Sequence, residues 1–186
     1  MQDMTDLDAI AGIAAGREQG LRHLYDRHGT RIFRFALRLV RNEAVAEEVT
    51  NEVFIEVWKN AKAFEGRSAV PTWLLSIARN RALDRLRKRS EESLDEGVAE
   101  RIVDGADDPE VELAKKDKGA LMRLMIDRLS PIHREIVDLV YYHEQSIAEA
   151  SAILGVPENT VKTRMFHARK QLSTLFNEAG LDRGWP

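Results

Sequence analysis

Apolar residues recur every three or four positions along most of this chain, a spacing that predicts helices almost throughout. Ile32, Phe33, Ala36, Leu37 and Val40 form one stripe. Val45, Val49, Val53 and Val57 form a second, with Phe54 and Trp58 beside it. The run Phe64-Glu65-Gly66-Arg67-Ser68 breaks the period and reads as a loop, and Pro71 suits the first turn of the helix that follows. That helix, from Thr72 to about Arg89, should bury Trp73, Leu74, Ile77 and Ala78. It leaves a polar line of Asn80, Asp84 and Lys88 beside Arg81, Arg85 and Arg89. Sustained alternation and Asn-Gly or Asp-Gly hairpins are absent from the sequence, so the expected class is all-α.

The second half follows the same rule. Ala120 to Leu129 is a short amphipathic helix stopped by Ser130-Pro131, and Ile132 to Tyr142 is another. Ser146-Ile147-Ala148-Glu149 matches a capping box, and Gly155 suits the left-handed position after a helix end. A last helix begins at Val156-Pro157 with the stripe Val161, Met165, Ala168, Leu172 and Leu175. A short helix, a turn of about four residues with a glycine and a second helix make a helix-turn-helix.

Charge changes this picture more than composition does. The chain has 186 residues, a net charge of −3 and 44% hydrophobic content, enough to build cores for one domain or two small ones. From Arg67 to Arg89 there are seven Lys/Arg and one acid; from Ser90 to Glu112 there are ten Asp/Glu and one Arg. An acidic stretch so poor in large apolar residues cannot offset its ordering entropy, so residues 90–112 read as a flexible linker. The expected domains are residues 1–89 and 113–186. The absence of cysteine excludes disulfides, thiolate metal sites and thiol switching, and fits a reducing cytoplasm. No apolar run approaches the length of a membrane span, and the N-terminus is acidic where a secretory signal is basic, so no membrane insertion is expected. Residues 178–186, which include Trp185, suggest no role.

One residue of the last helix stands apart from its stripe. Phe166 shares a face with Asn159, Lys162, Thr163 and Lys170, flanked by Arg164 and Arg169. Two readings fit: a second helix covers the ring, or the face meets nucleic acid, with cations for phosphates and a ring for base edges and methyls. The motifs G-x-x-x-x-G-K-[ST], G-x-G-x-x-G, G-x-S-x-G and H-E-x-x-H are all missing, so neither catalysis nor a cofactor is expected. Tyr142-His143-Glu144 lacks a second His at ligand spacing and reads as a polar helix end, with no metal.

Taken together the halves resemble a bacterial extracytoplasmic-function (ECF, group IV) sigma factor, the promoter-specificity subunit of RNA polymerase. AEEVTNEVFIEVWKNAKAF, EGRS and TWLLSIARNRALDRLRKR resemble that family's domain 2. LSPIHREIVDLVYYHEQSIAEASAILGVPENTVKTRMFHARKQL resembles its domain 4. The order of the two also matches, across most of residues 20–175.

The resemblance implies binding to core RNA polymerase, through the clamp coiled coil of its largest subunit and its flap, to promoter DNA and to an anti-sigma factor. It implies polymerase docking by Glu47, Glu48, Asn51, Glu52, Phe54 and Trp58, although the family often has Gln where Asn51 stands. It places Lys62, Phe64, Arg67, Asn80 and Asp84 at the −10 element, where a base is flipped into the loop. The Phe64 ring either takes part in that capture or staples the loop to the core. Lys162, Thr163 and Phe166 match positions that read the −35 element, and Asn159, Thr160, Arg164 and Arg169 match backbone contacts. Lys162 stands where Arg is frequent and cannot offer guanine a planar two-pronged donor, so the family's −35 preference does not transfer. Two rivals are a dimeric helix-turn-helix regulator that binds DNA alone, and a protein-only helical adaptor.

Overall fold

A computed structural model describes residues 4–94 and 118–179, and its described elements are helical. The chain divides into two compact units. In the first, α1 (Asp6–Ala14) starts at a capping box, in which Asp8 N–H donates to Thr5 Oγ1 and Thr5 N–H to the Asp8 carboxylate. That bonding holds the Asp8 carboxyl below its ordinary pKa. Helix α2 (Glu18–Val40) ends at Arg41 in the left-handed region, and Asn42 caps α3 (Glu43–Asn60) by accepting from Val45 N–H. So short a link makes α2 and α3 neighbours that double back. A single 3₁₀ turn (Ala61–Ala63) and the loop 64–69 then lead into α4 (Val70–Leu94).

The core of this unit joins Leu24, Ile32, Phe35, Ala36 and Val40 of α2 to Val49, Val53 and Val57 of α3 and Leu74, Leu75, Ala78 and Ala82 of α4. Two stripe assignments shift by a residue or two. Phe35 is fully buried where Phe33 is half-buried, and Leu75 is fully buried where Trp73 is half-buried. Helix α2 packs against α1, α3 and α4, and α4 against α2 and α3, which gives each more than one buried face. Helix α1 lies so close to α2 that a Cβ on Gly20 would stand 2.4 Å from the Ala9 carbonyl oxygen. Asp6 fixes the same contact from the other end, accepting from Arg27 at 3.2 Å and meeting His28 Nε2 at 2.9 Å.

In the second unit, α5 (Lys118–Asp127) is followed by α6 (Pro131–Val137), whose first turn is set by Pro131 and by Ser130 accepting from His133 N–H. Arg134 turns back to donate to the Asp127 and Leu129 carbonyls at the end of α5. The expected helix from Ile132 to Tyr142 does not stay α: residues Asp138–Tyr142 widen into a π turn. Helices α7 (Ile147–Leu154) and α8 (Glu158–Glu178) follow in the chain. Leu121, Met125, Ile136, Val137 and Leu139 are buried with Val161, Met165 and Ala168 of the expected α8 stripe, while Leu172 and Leu175 are half-buried and Phe176 takes the buried place at the end of the helix.

Helix α4 reaches Leu94, five residues past the boundary read from charge. The remainder of the acidic stretch, 95–112, and the terminal residues 180–186 lie outside the described residues.

Candidate nucleic-acid and polymerase interface

Local signals build the helix-turn-helix. The Ser146 backbone N–H and hydroxyl both donate to the Glu149 carboxylate, and Glu149 N–H donates back to Ser146 Oγ, which closes the capping box. Gly155 adopts φ +66°, a conformation costly for other residues. The turn is then pinned twice, by Ser151 Oγ donating to the Val156 carbonyl at 2.6 Å and Val156 N–H donating to the Ser151 carbonyl at 3.3 Å. Pro157 begins α8 without a side-chain cap, which leaves the first N–H groups of that helix directed outward.

Phe166 is 65% exposed, the most exposed of the large apolar side chains among the described residues. Its only ring neighbour among these is His167, edge-on with centroids 5.5 Å apart. Asn159, Lys162, Thr163 and Arg169 are exposed with it, and Thr160 and Arg164 are half-exposed at the edges. Thr163 Oγ1 donates to the Asn159 carbonyl one turn earlier, which holds its methyl outward. Arg169 is held from outside its own helix: Nε donates to the Tyr141 hydroxyl at 3.0 Å, and the guanidinium carbon lies 5.8 Å from the Tyr141 ring centroid. The seven α8 residues thus share one uncovered surface.

On the first unit the expected docking residues fall into two groups. Glu47, Glu48 and Asn51 are exposed on α3, with Glu52 half-exposed. Glu47 and Asn51 line a groove with Tyr25, Asp26, Gly29, Thr30 and Phe33 of α2. Next to it a second groove is walled by Leu21, Tyr25, Ile55 and Trp58. Trp58 is 39% exposed, whereas Phe54 is 4% exposed and packs on the Tyr25 ring at 4.9 Å, so Phe54 floors the groove and Trp58 rims it. Exposed Tyr25 and Ile55 belong to the same surface and were missed because each lies off its helix stripe.

Ion pairs join this helix to the next. Arg85 meets both Glu48, at 2.9 Å, and Glu52, while Arg81 meets Glu56. Hydrogen bonding to the carboxylates raises the pKa of both guanidiniums. The signal was present as Glu48/Glu52/Glu56 on α3 and Arg81/Arg85 on α4, both spaced by four.

The −10 candidates lie on the loop and on α4. Lys62 and Arg67 are exposed, and Arg67 pairs with Glu65. Phe64 is half-buried and packs on Trp73 of α4 with centroids 4.9 Å apart, a contact between the loop and that helix. Asn80 is exposed and Asp84, one turn on, pairs with Arg87 at 2.9 Å. Gly66, Arg67 and Ser68 line a cleft of about 1110 Å³ together with Asp6, His23 and Arg27.

Among the described residues there is no group of three or more side chains able to hold a metal ion. His143 is 4% exposed and its Nε2 lies 3.2 Å from Asp138 Oδ2. None of the described helices is long and apolar enough to cross a membrane.

A helical chain whose helix-turn-helix presents cations, short polar groups and an uncovered aromatic on one face is, by class, a DNA-binding transcription protein. Residues 24–92 match Sigma-70 region 2 and residues 120–172 match Sigma-70, region 4. The chain is 33% identical over 184 residues to the ECF RNA polymerase sigma factor SigL of Mycobacterium tuberculosis, covering 94% of this chain and 98% of that one. It is 31% identical over 174 residues to the ECF RNA polymerase sigma factor SigK of Mycobacterium bovis, covering 90% and 92%. Its fold is similar to the sigma factor RpoE of Bartonella quintana, solved in complex with the anti-sigma factor NepR, with a TM-score of 0.68, 26% identity and coverage of 87% and 98%. The chain belongs to the ECF sigma factors of the sigma-70 family. It binds core RNA polymerase and directs promoter-specific transcription initiation.

Proposed function

We propose a division of labour between the two units: residues 1–89 dock on core polymerase and open the −10 element, residues 113–186 read the −35 element, and residues 90–112 tether them. The observation that carries this reading is the α8 surface, where a ring 65% exposed stands among Lys162, Thr163 and Asn159. An aromatic so exposed has no packing role to explain it, whereas a thymine methyl or base edge in the major groove would cover it. Thr160 and the uncapped N–H groups of α8 face where a phosphate would lie, with Arg164 and Arg169 at the edges of the same footprint.

Within the first unit, Glu47 and Asn51 in one groove, Trp58 on the rim of the next, and Glu48 and Glu52 beside them on α3 offer a basic coiled coil both charge and an apolar anchor. A base leaving the duplex near the loop costs a few kcal/mol of unstacking, which Lys62 and Arg67, together with Asn80 and Asp84 on α4, would help to offset. Phe64 serves that step from below, as the fastener that gives the loop its shape. The protein performs no chemistry of its own; it acts in the cytoplasm, where it positions polymerase. An anti-sigma factor is a further partner, by likeness to the sigma factor crystallised with NepR.

Each unit presents a small basic face and the tether is acidic, so the free protein should bind promoter DNA poorly. The test is run-off transcription by core polymerase with and without the protein, followed by start-site sequencing. Defined starts downstream of a shared pair of elements, seen only with the protein, are the expected result. Tight sequence-specific binding by the protein alone would favour a dimeric regulator.

A further inference from the structure

Tyr141 lies outside the α8 helix and outside every role assigned so far, yet its hydroxyl reaches the DNA-facing surface. It belongs to the π turn Asp138–Tyr142, a rare backbone form that accommodates one more residue than an α turn and swings its side chains to new directions. The turn is anchored by His143 N–H donating to the Asp138 carbonyl at 3.0 Å and Gln145 N–H donating to the Leu139 carbonyl at 2.9 Å. Inside, Asp138 is 1% exposed and holds His143 at 3.2 Å; outside, Tyr141 is 54% exposed. Among the described residues its hydroxyl takes one hydrogen bond, accepted from Arg169 Nε.

That contact has consequences for how Arg169 can meet DNA. Arg169 lies three residues after Phe166, and so on nearly the same face of α8. With Nε committed to the tyrosine and the guanidinium carbon 5.8 Å from the ring centroid, the two terminal nitrogens remain as donors for an external partner. A long cation fixed in advance loses less side-chain freedom on binding than one that must be ordered by the ligand. The hydroxyl that accepts from a cation is also polarised, so its own hydrogen becomes a better donor toward an anion.

We propose that Tyr141 is a positioning residue for promoter binding. It holds the Arg169 guanidinium in the orientation that grips a phosphate of the −35 duplex, and offers its hydroxyl to the same phosphate. The partner is the sugar-phosphate backbone rather than a base, so the pair adds affinity without sequence preference. This inference rests on the reading of α8 as the −35 helix.

The test uses holoenzyme and labelled promoter duplex, with affinity measured across a salt series for wild type, Tyr141→Phe, Arg169→Ala and the double variant. The phenylalanine keeps the ring and removes one oxygen, and thermal unfolding checks that the unit is intact. Expected are a loss of affinity of about three- to tenfold for Tyr141→Phe, equal on all −35 variants, and a log–log salt slope shallower by up to about one, as for Arg169→Ala. The double variant should lose clearly less than the two single losses added together, because Tyr141 acts mainly through Arg169. A slope unchanged in Tyr141→Phe while Arg169→Ala lowers it overturns the proposal and leaves the α8 reading standing, as do two effects that add in full. Silence of both variants, joined by silence of Lys162→Ala, overturns the proposal and the α8 reading together.

Discussion

Helix α4 of the first unit and helix α8 of the second each carry a row of cations, but the rows meet different surroundings. On α4, Arg81 and Arg85 face acids of α3 at ion-pair distance, so part of the positive excess between Arg67 and Arg89 is neutralised within the unit. On α8, no carboxylate among the described residues lies within ion-pair distance of Lys162 or Arg164, and Arg169 is held by a neutral hydroxyl. The lesson is that a basic run in sequence is not a measure of available charge. The first unit converts part of its cations into an internal brace between α3 and α4. The second leaves its cations to an external anion.

The sharpest way to test that contrast is to compare two phenylalanines that composition cannot tell apart. Phe35 is fully buried and Phe166 is 65% exposed. Phe35→Ala should cost about 3–5 kcal/mol of stability, read as a large fall in melting temperature. Phe166→Ala should leave stability within about 0.5 kcal/mol and instead cost about 1–3 kcal/mol of preference at one or two −35 positions, read with holoenzyme on single-base promoter variants. A destabilised Phe166→Ala with unchanged base preference would return the ring to the core.

Next in size is the docking groove. Glu48→Lys would place an ammonium against Arg85 and confuse docking with folding, since Glu48 already holds that guanidinium. Glu47→Lys with Asn51→Ala avoids this, because both residues are exposed and line the α2–α3 groove. Core polymerase capture is expected to weaken about tenfold or more, with the melting temperature unchanged. Capture equal to wild type would move the docking surface elsewhere.

These outcomes also mark what the sequence could and could not convey. Local devices were legible because cause and effect lie within a few residues: the Ser146–Glu149 capping box, the Gly155 turn and the stripe from Val161 to Ala168 all stand where the pattern placed them. Burial on helices with more than one packed face was less so, which is why Phe35 and Leu75 replaced Phe33 and Trp73 in the deepest layer. The Phe64–Trp73 contact, which joins the loop to α4, was not legible in the helical pattern. The Tyr141–Arg169 contact was invisible because it spans 28 residues and depends on a π turn that helical periodicity does not announce.

The smallest expected effect probes the brace itself. Glu52→Gln removes the carboxylate that raises the Arg85 pKa, but Glu48 remains beside the same guanidinium. Both side chains of the lost pair are about a third exposed, where an ion pair contributes at most about 1 kcal/mol and salt screens it. Stability at neutral pH should therefore fall by only a few tenths of a kcal/mol. If the internal pairing is what keeps Arg85 from phosphate, holoenzyme carrying Glu52→Gln should bind promoter with a steeper log–log salt slope than wild type. An unchanged slope would mean that Arg85 serves the fold alone, and the contrast between α4 and α8 would narrow to their geometry.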